Sequence, residues 1–276
     1  CIATEACRKA ENGADFIAEI RERTGLTFKI IGAQEEAQLA LIGCHNLIDE
    51  DAASVLVLDI GGGSTELSLV DATRARSGGL EGMLKRAPIE AWTSIPLGVV
   101  TLTEAFSHLD EREAYPAMLD KARGYVNAWA DKHGVRERLA SDTSYIIGTS
   151  GTVTCVAGVH FGLERYRRDL VDGKWMDHES CEKTMNTLID AGIDGRAKFP
   201  TIGEDRAQLM LAGCALVDAV WTLAPHARMR VADRGLREGL LLSMMKGPKR
   251  QRNRRGGRKR PSGAGKSSPN RTGVTS

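Results

Sequence analysis

The residues predict an α/β protein whose strands and helices alternate around a cleft, and two observations carry this. Short apolar runs of strand-forming residues, above all Val55–Asp59 and Tyr145–Gly148, alternate along the chain with segments that are apolar at helical spacing. Both runs then open into glycine- and hydroxyl-rich turns, Gly61-Gly62-Gly63-Ser64-Thr65 and Gly148-Thr149-Ser150-Gly151-Thr152. Two such anion-binding loops, far apart in sequence, suggest a cleft between two lobes.

In chain order, Ile2-Ala3-Thr4 reads as the end of a strand. Asn12 opens a helix with Phe16, Ile17 and Ile20 on its inner face, and Gly25 ends it. Thr27 to Ile31 is a short strand. Gln34 to about Asn46 is a helix with Ala37, Ala40, Leu41 and Cys44 facing inward. Val55 to Val70 forms a strand, a tight turn and a second strand, because Glu66-Leu67-Ser68-Leu69 alternates with period two. A Gly/Arg-rich turn is expected near Arg74 to Gly79, then a strand around Ile89 to Ile95 leading to Pro96-Leu97-Gly98. Thr101 to Leu139 is mostly helical, interrupted near Pro116. Tyr145–Gly148 is a buried strand that enters an apolar helix. Helices follow at about 178–192 and 205–223, and Met229 to Leu242 is a last strand-to-helix unit.

A chain of 276 residues with 42% apolar and 27% charged residues is an ordinary soluble globular protein of one or two domains. No run has the length of a transmembrane helix and no signal peptide is visible, so no membrane association is expected. The six cysteines are scattered without a Cys-x-x-Cys pair, and none lies at zinc-ligand spacing from a histidine. Buried free thiols in a reducing cytoplasm are the expectation. The chain begins at Cys1 without an initiator Met, which reads as the start of a fragment or processed chain. The net charge of +2 hides an asymmetry: ten of the 38 basic residues and none of the 36 acidic ones lie in 247–276, leaving 1–246 net acidic by eight. That basic stretch has no apolar face and reads as a disordered tail, either a polyanion contact or a solubilising extension.

The chemistry centres on the two turns. Glycines at 61–63 admit positive φ and bring backbone N–H groups close to an anion. Asp59, ending the preceding strand, is placed to hold a hydrated cation beside that anion. A P-loop is excluded because no Gly-Lys-Ser/Thr is present and a strand follows the turn; a Rossmann fingerprint fails for the second reason. An ordinary glycine hairpin remains the bland alternative. The 148–152 loop, ahead of a helix, is a second phosphate cradle. Glu35 and Glu36 lie in the first turn of their helix, where the dipole favours the ionised form. They stand about a hundred degrees apart, so only one faces a given cleft, and the residues alone leave open which.

In order and spacing, Ala3-Thr4…Arg8…Asn12-Gly13, Gln34-Glu35-Glu36-Ala37, Asp59-Ile60-Gly61-Gly62-Gly63-Ser64-Thr65-Glu66, Pro96-Leu97-Gly98, Gly148–Thr152 and Ala232-Asp233-Arg234-Gly235-Leu236-Arg237-Glu238-Gly239 resemble the exopolyphosphatase/guanosine-pentaphosphatase (Ppx/GppA) family. The resemblance covers essentially all of residues 1–246. It implies an actin-like, ribonuclease-H-type, two-lobed fold with the first lobe incomplete: 1–92 as the remainder of that lobe and 93–246 as the second. It implies Mg²⁺-dependent hydrolysis of the terminal phosphate of polyphosphate or guanosine pentaphosphate, with Glu36 the catalytic carboxylate and Asp59 a metal-site residue. Gly61 to Thr65, Arg8 and Gly148 to Thr152 would contact phosphate. Glu66, opening the outgoing strand of the hairpin, reads from its position either as a contact behind the metal or water or as a capped loop end. A homodimer is among the expectations. The family's earlier Asp-x-Gly-[ST]-Asn-Ser loop is not among these residues, and Gln38, Thr101 and Gln208 depart from residues common in the family. The alternatives are another actin-like phosphotransferase, of the acetate- or sugar-kinase type, and a non-catalytic polyphosphate- or nucleotide-binding protein.

Overall fold

A computed structural model of the protein describes residues 1–246 and Gly273; the expected basic tail, 247–276, otherwise lies outside the described residues. Residues 1–246 form one compact unit. The chain opens with β1 (Ile2–Ala3), α1 (Glu5–Lys9), α2 (Gly13–Thr24) and β2 (Lys29–Ile30), with β1 and β2 paired in parallel. Gly25 ends α2 in the left-handed conformation (φ 73°), as a C-terminal glycine is expected to do. Phe16, expected inward with Ile17 and Ile20, is instead 49% exposed, while those two are half-buried. Next come α3 (Ala33–Cys44), a 3₁₀ turn at His45–Leu47, β3 (Ser54–Ile60) and β4 (Thr65–Asp71).

The turn expected near Arg74–Gly79 is a helix, α4 (Ala72–Lys85), broken only at Gly79 (φ 53°). Its glycines disfavour a helix, but Asp71 caps it by accepting from Arg74 N, and Ala72, Ala75 and Met83 are buried against the sheet. After β5 (Ile89–Ile95) come α5 (Val99–Ala105), α6 (Glu111–His133) and α7 (Val135–Leu139). The interruption expected at Pro116 falls at 106–110 instead. Pro116 sits within α6, where burial of Ala114, Met118, Ala122 and Val126 outweighs one missing backbone donor. The remaining elements are β6 (Tyr145–Thr149), α8 (Gly151–His160), α9 (Arg168–Val171), β7 (Trp175–Met176), α10 (His178–Asp190), α11 (Gly192–Ala197), α12 (Glu204–Ala207), α13 (Met210–Trp221), β8 (Met229–Ala232) and α14 (Leu236–Lys246).

The main sheet runs β5-β4-β3-β6-β8-β7. Its centre, β3-β6-β8, is parallel, and the hairpin and edge pairings are antiparallel. The hairpin therefore shares one sheet with the strands that follow residue 93. Both faces of the sheet are covered, which is why β3 reads as a continuous apolar run instead of an alternating one. Leu56, Leu58 and Ile60 face one core with α6, α8 and α13; Val55 and Val57 face the other with α3 and α4. Helix α13, apolar except for Asp218, is buried accordingly. Cys44, Cys155, Cys181 and Cys214 are buried free thiols, as expected.

One close crossing fixes the geometry of the cleft. A methyl on Gly239 would fall 1.9 Å from the Leu39 carbonyl oxygen, and one on Gly43 would fall 2.0 Å from that of Gly235. Only glycine lets the backbones of α3 and α14 approach so closely. Among the described residues, no helix is long and apolar enough to cross a membrane.

Candidate active site

β3 and β6 are parallel neighbours, and Asp59 pairs in register with Thr149. Both glycine turns therefore leave the same end of the sheet, at the mouth of a cleft of ≈ 680 Å³. Among the expected residues, Glu36, Asp59, Gly61, Glu66, Thr149, Ser150 and Gly151 line it. Arg8, Gly62, Gly63, Ser64, Thr65, Gly148 and Thr152 do not.

The carboxylates come from three elements. Glu35 and Glu36 diverge as helical geometry requires: Glu35 accepts from Lys29 Nζ at 2.7 and 2.8 Å, outside the cleft. Glu36 accepts from Arg8 Nη1 at 3.1 Å and faces inward. Burial pushes Glu36 above the ordinary carboxylate range, against the pull of Arg8. Asp59 and Glu66 are cross-strand partners at the end of the β3–β4 hairpin. Glu66 is buried, and its Oε1 accepts from Ser64 Oγ at 2.8 Å and Ser94 Oγ at 2.7 Å. Burial raises its pKa too, with the two hydroxyls opposing. No described donor faces the Asp59 carboxylate; burial, then the charges of Glu66 and Glu36, push it up to about 7.

The first turn is built tightly. Gly61 N donates to Ser64 O at 2.8 Å, and the carbonyls of Gly61 and Gly62 accept from Val99 N and Val100 N at the start of α5. A methyl on Gly98 would fall 2.4 Å from the Gly62 carbonyl. None of Gly61–Gly63 has positive φ, contrary to expectation. These glycines serve close approach to α5 and α1, not a left-handed backbone. The hydroxyl of Thr65 donates to Leu97 O at 2.7 Å, so both hydroxyls of this turn are engaged, while the N–H groups of Gly62 and Gly63 have no acceptor among the described residues.

The second turn is open. Ser150 caps α8 by accepting from Val153 N at 3.3 Å, leaving the N–H groups of Gly151 and Thr152 without intrahelical acceptors. Ser150 has φ 142° and ψ 169°, a region natural to glycine, and is the one described non-glycine residue with positive φ. Thr149 Oγ1 donates to Arg234 O at 2.8 Å, tying the turn to the β8–α14 loop. Gly148 and Thr152 are packing residues: methyls on Gly148 and Gly213 would fall 2.7 Å from Met229 Sδ and 2.5 Å from Thr152 Cγ2 respectively.

Two cleft residues, Arg206 and Tyr166, lie outside every sequence motif, and Arg234 and Arg237 of the 232–239 motif join them. Arg206 and Arg237 are exposed cleft guanidinium groups with no carboxylate partner among the described residues. Arg206 Nη1 reaches Cys155 Sγ at 3.6 Å. Arg234 is spent on Asp172. Tyr166 lies at the rim, its phenol raised by burial and by hydrogen bonding to Asp233. Neither Arg206 nor Tyr166 belongs to a glycine or strand pattern, so periodicity offered no signal for them.

The model of the Ppx/GppA phosphatase family matches residues 1–247. The chain belongs to the Ppx/GppA phosphatase family. It is similar to the solved Aquifex aeolicus member of that family, at 25% identity and TM-score 0.69 over 88% of this chain and 72% of that one. It is likewise similar to an exopolyphosphatase-like protein, at 25% identity and TM-score 0.69 over 88% and 76%. An exopolyphosphatase from Cytophaga hutchinsonii shares the fold, at 20% identity and TM-score 0.72 over 90% and 75%. The fold of this Ppx/GppA chain is thus the actin-like α/β fold expected from its motifs, and membership supports a phosphohydrolase.

The donor set is all oxygen. Among the described residues no three His, Cys, Asp or Glu side chains converge as a preformed metal cage. Mg²⁺ is ordinarily held by one or two carboxylates together with substrate phosphates and water, without such a cage. Asp59, a carboxylate at the cleft with no donor satisfying it, and Glu66 across the strand pair fit that mode.

Proposed function

We propose that this chain hydrolyses the terminal phosphoanhydride of inorganic polyphosphate or guanosine pentaphosphate with Mg²⁺. The observation that carries this reading is the meeting, in one cleft, of Glu36, Asp59 and Glu66 with the open N-terminus of α8. Phosphoanhydride hydrolysis needs neutralised phosphate charge, an in-line water and a group to orient or deprotonate it. The free N–H of Gly151 and the guanidinium groups of Arg206 and Arg237 bind phosphate oxygens. Asp59 and Glu66 would hold Mg²⁺, which when bound supplies charge neutralisation at the phosphate. Glu36, with its proton affinity raised by burial, orients the water and takes its proton.

Phosphate release from long-chain polyphosphate without added nucleotide, with Mg²⁺ and with EDTA, tests the reading. Release that needs Mg²⁺ and no acceptor is the expected result. Dependence on ATP and an acceptor would turn the assignment to a phosphotransferase, and binding without turnover would turn it to a binding protein.

A further inference from the structure

On the phosphohydrolase reading, we propose that Glu5 is a specificity-determining residue: a built-in carboxylate, seated on Arg8 and Lys9, that an incoming phosphate must displace. Glu5 opens α1, and its stem lies against the first glycine turn, where a methyl on Gly63 would fall 2.9 Å from Glu5 Cγ. Its Oε2 accepts from Arg8 Nη2 at 2.5 Å and its Oε1 from Lys9 Nζ at 2.6 Å. Both carboxylate oxygens are thus matched to cations beside that turn. The Glu5 side chain is only 14% exposed, so the pair is sheltered on the carboxylate side. Desolvation pulls its pKa upward, yet the hydrogen bonds from Lys9 and Arg8 hold it below the usual range.

Arg8 is shared. Its Nη1 donates to Ile31 O at 2.7 Å and to Glu36 at 3.1 Å, while Nη2 serves Glu5. A guanidinium N–H and an ammonium donate to a phosphate oxygen as they do to a carboxylate oxygen, and Glu5 takes one of each, from Arg8 Nη2 and Lys9 Nζ. Glu5 therefore occupies a place suited to a phosphoryl group, one guanidinium away from Glu36. A phosphate reaching Arg8 must displace a carboxylate and tolerate its negative charge nearby, which weakens ground-state binding without entering the chemistry. The neutral, equally long amide of Glu5→Gln removes the charge and leaves Arg8 Nη2 and Lys9 available.

The experiment is a calorimetric titration of tripolyphosphate, in EDTA, into the parent protein, Glu5→Gln and the double variant Glu5→Gln/Arg8→Gln, with KM and kcat on polyphosphate alongside. Glu5→Gln should bind tripolyphosphate roughly threefold to fivefold more tightly, the scale of a partly exposed ion pair. KM should fall in step while kcat stays within about twofold, a split that a merely structural role would not produce. The double variant should lose the gain. Glu5→Ser, which removes reach as well as charge, must act in the same direction. Equal or weaker binding by both Glu5 variants overturns the role of Glu5 and leaves the phosphohydrolase reading standing. Tripolyphosphate binding to none of the proteins overturns the role of Glu5, and phosphate release with Mg²⁺ decides the phosphohydrolase reading separately.

Discussion

The two glycine turns leave neighbouring strands at the same level of the same sheet, yet they are put to opposite uses. The first, Gly61–Thr65, is closed: its carbonyls receive α5, its hydroxyls serve Glu66 and Leu97, and only Gly61 reaches the cleft. The second, Thr149–Gly151, is open: it offers the unpartnered N–H of Gly151 to the cleft and places a serine where glycine would be relaxed. The difference comes from what packs on each turn. The β3–β4 ladder ends at Ile60 and Thr65 and α5 takes the carbonyls of Gly61 and Gly62, whereas the helix that follows the second turn has no element packed onto its N-terminus. The closed turn presents carboxylates, and the open one presents donors.

The largest expected effect lies on the carboxylate side. Glu36→Gln preserves size and helix propensity and should lower turnover by roughly 10²-fold or more with folding intact, as read by steady-state phosphate release and circular dichroism. Near-normal turnover would move the base to Glu66 or to the opposite turn, and the proposed division of labour would fail.

Gly98→Ala attacks the closed turn through its packing. The added methyl meets backbone at 2.4 Å, so the turn or α5 must shift. A loss of about 3 kcal/mol in denaturant unfolding is expected, at the upper end of overpacking costs. A fully stable variant would show that the turn is not held by close approach.

Asp59→Asn separates stability from metal binding. In the folded chain burial and the neighbouring Glu66 and Glu36 charges hold Asp59 at about 7, against an ordinary 3.8. The folded state therefore binds this proton more tightly than the unfolded state. Its stabilising contribution is full below about pH 4 and is lost as pH rises through about 7. In EDTA at pH 8, Asp59→Asn should be more stable than the parent by about 1–2 kcal/mol, after allowing for solvent screening, and the gain should vanish at low pH. With Mg²⁺ the order should reverse in activity, the variant needing more metal for half-maximal turnover. Identical melting at both pH values would mean that Asp59 carries no such tension.

The open turn should respond in the other direction. Ser150→Gly releases a backbone conformation unnatural to serine, and glycine is an acceptable helix cap, so stability should rise by about 1 kcal/mol. Smaller still is Gly151→Ala. No atom lies within 4 Å of its added methyl and its φ is not positive, so thermal stability should rise by a few tenths of a kcal/mol. Any loss of turnover there would then report the methyl inside the cleft. If Gly151→Ala destabilised as Gly98→Ala does, the contrast between the turns would collapse.

Local pattern was enough to reveal β3, β4, β5 and β6, the helices carrying Glu36 and the 236–246 segment, and the motif order that marks the family. Those features rest on periodicity, turn chemistry and spacing, all of which are written along the chain. Where local preference and burial disagreed, burial won: glycines argued for a turn at 74–79 and Pro116 for a break, but buried faces of α4 and α6 override both. The partnerships across the chain were decided only in three dimensions. Nothing in the glycine triplet says that α5 closes over it, and nothing in Glu5-Ala6-Cys7-Arg8 says that Arg8 is divided between Glu5 and Glu36. Arg206, far from either turn in sequence, reaches the cleft only in the folded chain, where its guanidinium meets Cys155 of α8. A residue's type and spacing determine what it is able to do, but which neighbour claims its charges and hydrogen bonds is set by long-range packing, to which local sequence is blind.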